Sequence, residues 1–222
     1  MKARIIIPSC LVVSFLITGL QLQAERLTLE IWCELEPAVF EGSEYPISAE
    51  TAAKRLLEEA RELFSAMIYG YSFSYTPSDR ARGVQDRFEL TPLGEVMWGD
   101  PRLKILDIEK RESRMFGKIS YTLASFQEER RTAWGSNTIP TSTGRGERNV
   151  LEGVPAKIGS FEESIKQAIR DYARKRIFNK PREITGEALL WENPRTMINS
   201  GAYSTQAKIK LSILDVVPYR FF

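Results

Sequence analysis

Between Ser48 and Thr76 the hydrophobic period changes once, and the change marks the centre of the chain's organisation. Ala53, Leu56, Leu57, Ala60, Leu63, Phe64, Met67 and Ile68 recur at helical spacing, with Ser48 placed to cap the start and Glu50 in the first turn. After Ile68 the period is two: Tyr69, Tyr71, Phe73 and Tyr75 alternate with Gly70, Ser72, Ser74 and Thr76. The pattern predicts a helix running through Gly70 into an aromatic strand with one bulky face and one small face.

The same reasoning places the other elements. Leu27, Leu29, Ile31, Cys33 and Leu35 alternate with Thr28, Glu30, Trp32, Glu34 and Glu36, which predicts a first strand with one apolar side. Pro37 to Pro46 connects it to the helix. Past the turn chemistry of Pro77 to Gly83, a short strand is expected at Asp86 to Leu90. A hairpin follows, Arg102 to Lys110 and Gly117 to Phe126, turning at Arg111 to Met115 and extending the sheet of the aromatic strand. Gly135 to Arg148 reads GSNTIPTSTGRGER, with almost no apolar residue, and predicts a flexible loop or linker.

A second helix is predicted from Ser160, where Ser160-Phe161-Glu162-Glu163 has the form of a capping box. Ile165, Ala168, Ile169, Tyr172, Ala173 and Ile177 form its stripe, and Pro181 follows its end. Two further strands are expected, Glu183 to Trp191 and Thr205 to Val217, joined by a loop at Asn193 to Gly201. The order predicts an α+β domain: a mostly antiparallel sheet of about six to seven strands with two amphipathic helices on one face. Residues 48–91 and 161–217 read as two helix-strand-strand units.

Composition adds an address. Lys2 and Arg4, the apolar run Ile5 to Leu20 and the tripeptide Leu22-Gln23-Ala24 read as a signal peptide over residues 1–24, leaving one domain over 25–222 with its flexible loop at 135–148. Retention of the leader as an anchor is the alternative; no later stretch is apolar enough to span a bilayer. Without Lys2 and Arg4, the 31 basic residues fall level with the 29 acidic ones. No charge excess points to nucleic acid, and no nucleic-acid partner is expected.

The chemistry is bounded by an absence: the chain has no histidine. Serine-histidine and cysteine-histidine catalysis and histidine-based zinc sites are thereby excluded. Cys33, alone after leader removal, reads as a buried thiol. Glu30, Glu34 and Glu36 read as solvated sheet surface, and neither a metal nor a cofactor is expected. The glycines around Arg145 lack the lysine-serine ending and preceding buried strand of a phosphate loop. Arg170, Arg174, Lys175 and Arg176 suit a helix C-terminus without any ligand. For partner binding, the candidate residues are Arg80, Arg82 and Arg87, with Trp98, at one end of the sheet.

The words Met67-Ile68-Tyr69-Gly70-Tyr71-Ser72-Phe73, Tyr75-Thr76-Pro77-Ser78-Asp79 and Phe88-Glu89-Leu90-Thr91-Pro92 resemble a group of uncharacterised secreted proteins of spirochaetes. The resemblance implies a periplasmic or envelope location in a double-membraned bacterium, and it brings no activity and no functional residues. The expected function is a non-enzymatic envelope protein that binds or scaffolds another envelope component. The alternatives are a carboxylate-dependent envelope hydrolase, and a small-molecule carrier using the face of Tyr71, Phe73 and Tyr75.

Overall fold

A computed structural model describes residues 24–39 and 44–219. The signal peptide read at residues 1–24 lies, but for Ala24, outside the described residues, as do Phe221 and Phe222. The described chain is α+β, with nine strands in two antiparallel sheets and three α-helices.

The smaller sheet has the order β1-β5-β4, built from β1 (Arg26–Glu34), β4 (Leu103–Arg111) and β5 (Arg114–Thr122). The hairpin expected to extend the aromatic sheet thus pairs with β1 instead, in an unbroken register from Arg26 opposite Thr122 to Glu34 opposite Arg114. Its apolar positions match those of β1: Leu27, Leu29 and Ile31 are buried with Ile119 and Tyr121 on one side.

The larger sheet has the order β3-β2-β7-β9-β6. Its strands are β2 (Tyr71–Thr76), β3 (Arg87–Pro92), β6 (Thr141–Asn149), β7 (Glu183–Leu190) and β9 (Ala202–Val217), and β8 (Arg195–Asn199) pairs with the start of β9. The antiparallel contact of β2 with β7 sets the two helix-strand-strand units back to back in the order β3-β2-β7-β9.

Helix α1 (Ala49–Ile68) begins as expected, with the Ser48 side chain accepting from the Thr51 N–H. It packs against β1 and β5 on one side and β7 on the other. Every residue from Leu63 to Ile68 is buried, as a helix enclosed all round requires. Gly70 then turns the chain at φ +73°; a Cβ there would lie 2.3 Å from the Ala188 oxygen.

Four stretches depart from the sequence reading. The loop expected at Asn193 to Gly201 contains β8, which turns directly back into β9. The strand expected to reach Phe126 stops at Thr122, and α2 (Ser125–Trp134) follows, its entry fixed by the Ala124 N–H donating to Gln127 Oε1 at 2.8 Å. The flexible loop expected at residues 135–148 is in large part β6, paired along its whole length with β9. Helix α3 (Pro155–Arg176) starts a turn and more before Ser160, with a proline in its first turn. Ser160 is therefore interior and donates from Oγ to the Lys157 oxygen.

The departures at β6 and α3 share a cause. Gly144 and Gly146 let the backbone of α3 lie directly on β6: a Cβ at either would sit 2.2 Å from the oxygen of Ser164 or Ser160. A stretch with no apolar side chains is a strand because a helix backbone takes their place.

Candidate functional site

The most chemically varied concavity lies where the end of β1 meets α1, the first turns of α3 and the start of β9. Alternation turns Trp32 and Glu34 away from the buried side of β1. Helical spacing brings Arg55, Glu58, Glu59 and Glu62 of α1 to the same place, and α3 adds Val154, Lys157 and Ile158. With Pro37, Val39, Val150 and Tyr203 they enclose a pocket of ≈ 130 Å³. A more open and polar cleft of ≈ 500 Å³ shares Trp32, Glu59, Lys157 and Ile158, and continues over Glu192, Asn193 and Arg195.

The polar groups here are held by one another. Lys157 Nζ is 2.7 Å from Glu59 Oε2, with side chains only 11% and 13% exposed, and also donates to the Trp32 backbone oxygen. Trp32 Nε1 donates to the Thr196 oxygen at 3.2 Å, tying the small sheet to β8. Lys157 Nζ and the Arg114 guanidinium lie 4.3 and 4.4 Å from the indole centroid. The Tyr203 hydroxyl donates to Glu34. Burial, then the bond to Glu34, pushes that phenol well above its ordinary range. Burial likewise pushes the Cys33 thiol up to about 11, and its Sγ lies 3.6 Å from the Ala52 oxygen. At neutral pH both stay protonated, so the site offers fixed charge, hydrogen-bond donors and an apolar floor.

The predicted partner residues fall into two places. Arg80 and Arg82 lie in a short 3-10 turn past β2, and Arg87 opens β3 opposite Thr76, at the same end of the hairpin. Arg82 is paired with Asp79 and lies over the Tyr219 ring at 4.5 Å, while Arg87 pairs with Glu89. Trp98 belongs elsewhere. It follows the far end of β3, where Pro92 stands opposite Tyr71, whereas Arg87 opens the strand opposite Thr76. It is 53% exposed, in a loop pinned by the Val96 N–H donating to Ser65 Oγ at 2.8 Å.

Of the other sequence candidates, Glu34 is bound to Tyr203 and is not free sheet surface. Arg170 is anchored between Glu163 and Asp86 at 2.7 and 2.9 Å. Tyr71, Phe73 and Tyr75 are buried in the core. Trp32, Glu59, Lys157 and Tyr203 were not singled out by sequence. The one available signal was Trp32 itself, a large ring among glutamates on the polar side of β1. Among the described residues no cluster of acids and cysteine is arranged to hold a metal ion, and no helix is long and apolar enough to cross a membrane.

A protein-family model matches residues 17–219, most of the chain. The chain belongs to that family. It is similar to an uncharacterised protein of Treponema pallidum (strain Nichols), 23% identical over 197 residues, which cover 88% of this chain and 83% of the relative. The resemblance to an uncharacterised spirochaete protein therefore extends well beyond the aromatic strand. No solved structure matches.

Proposed function

We propose that the chain is a non-enzymatic periplasmic or envelope protein that binds another envelope component in the pocket between α1 and α3. The observation that carries this reading is the mutual pairing of the pocket's reactive groups: Lys157 with Glu59, Tyr203 with Glu34. What faces a ligand is an apolar floor of Trp32, Val39, Val154 and Ile158. Four carboxylates, Glu34, Glu58, Glu59 and Glu62, surround it against two cations, Arg55 and Lys157. That balance suits a partner segment presenting an apolar side chain flanked by lysine or arginine. The hydrolase alternative needs two carboxyl groups facing each other across a cleft. In the open cleft Glu59 is taken by Lys157, and Glu192 by Lys208. The leader read at residues 1–24 supplies the envelope address.

The test is a photo-crosslinking side chain at Val154, on the pocket rim, with Phe178 beyond the far end of α3 as control, in native envelopes. The expected result is an adduct from Val154 alone, mapping to a basic-flanked apolar segment and weakened by Glu58→Lys. Equal labelling from both positions, or none, would sink the reading.

A further inference from the structure

Strand β4 lies at the edge of the small sheet, bonded to β5 and to no other described strand. From Lys104 to Arg111 all its residues are exposed, including Ile105 at 37%, Leu106 at 46% and Ile108 at 38%. A free strand edge beside exposed aliphatic side chains is a template for pairing with another chain.

The register on β5 shows which side each residue takes. Leu103, Ile105, Ile108 and Lys110 stand opposite Tyr121, Ile119, Gly117 and Met115, on the side that faces α1. Lys104 and Glu109 stand opposite Ser120 and Phe116, on the other side. The bulge at Leu106 makes this possible, because it brings Ile105 and Ile108, three residues apart, to one face.

We propose that β4 pairs antiparallel with β4 of a second copy of this chain, about a two-fold axis between Leu106 and Asp107. In that register Ile105 faces the copy's Ile108 on the α1 side, and Lys104 faces the copy's Glu109 on the other. Both contacts occur twice by symmetry. Like faces meet only because of the bulge; a slip of one residue would set Lys104 against the copy's Lys110. Pairing joins the two three-stranded sheets into one of six. It gathers the four isoleucines, each partly exposed in a single copy, into one apolar strip on the α1 side of the joined sheet.

The experiment is sedimentation equilibrium of the full mature chain, with Lys104→Glu, Glu109→Lys and the double swap alongside. The expected result is a dimer. Each single swap changes two cross-strand pairs and weakens dimerisation by roughly 2- to 30-fold, and the double swap restores it. Both positions are exposed, and Glu109 also pairs with Arg111 at the surface. A circular-dichroism melt run on each variant confirms that it still folds. A chain that stays monomeric, or a dimer indifferent to the single swaps, overturns the proposal. A dimer weakened by both singles and not restored by the double overturns the register.

Discussion

Lys157 and Trp32 are joined through a single ammonium: Nζ lies 4.3 Å from the centroid of the indole ring and donates to the Trp32 backbone oxygen, while Glu59 balances its charge at 2.7 Å. One side chain of α3 thereby holds β1 and α1 together at the wall shared by pocket and cleft. Removing it leaves Glu59 mostly buried without its cation. Lys157→Ala is expected to cost about 3 kcal/mol, read by urea unfolding. Lys157→Met combined with Glu59→Leu removes both charges and is expected to recover most of that loss.

The contact of α3 with β6 gives a sharper steric prediction. At Gly144 a methyl group would meet the Ser164 oxygen and the Ala168 nitrogen, both backbone atoms that no rotamer change can move. Gly144→Ala is expected to destabilise by about 3 kcal/mol or more, measured by thermal unfolding. A loss within a few tenths would mean that the helix does not rest on the strand.

Asp100 makes stability depend on acid. Its Oδ2 is 2.7 Å from Arg102 and accepts from the Tyr121 hydroxyl at 3.0 Å, and the Arg102 hydrogen bonds are the main cause of a carboxyl held down at about 2 from its usual 3.8. A folded-state value below the unfolded one means stabilisation that is complete above about pH 4 and lost as pH falls through about 2. The advantage of the native chain over Asp100→Asn is expected to shrink across that window, followed by unfolding at successive pH values.

Cys33 is expected to be inert in the folded protein. With its thiol pushed up to about 11 by burial, Cys33 should react with a disulfide reagent at mildly alkaline pH only after denaturant is added. Prompt stoichiometric labelling of the native chain would contradict the packing around it.

Processing after Ala24 would create an ammonium at Glu25, whose backbone nitrogen already lies 2.6 Å from Glu128 Oε1. Mass analysis of the protein isolated from its native cells is expected to give a chain beginning at Glu25. Glu128→Gln is expected to lower the stability of that processed chain by about 1 kcal/mol or less, because the pair is exposed.

The stretches where the fold departs from the sequence pattern share a lack of side-chain signal. Ser125-Phe126-Gln127-Glu128 carries a pattern close to that of Ser160-Phe161-Glu162-Glu163, yet the former opens a helix and the latter lies inside one. In α2 only Gln127 and Trp134 are buried, so no apolar stripe announces it. In β6 the buried positions are Gly144 and Gly146, whose contribution is the space they leave.

Local periodicity was sufficient for β1, α1, β2, the body of α3, β7 and β9, because burial on one side imposes a repeat of two or 3.6 residues on the segment itself. The absence of histidine was likewise readable from composition alone. Which strands share a sheet was not, since β5 matches β1 across about eighty residues of intervening chain, from Glu34 to Arg114. The pocket follows from that choice. Trp32, Glu59, Lys157 and Tyr203 come from four elements, and only the packing of two sheets around α1 brings their side chains within reach of one another.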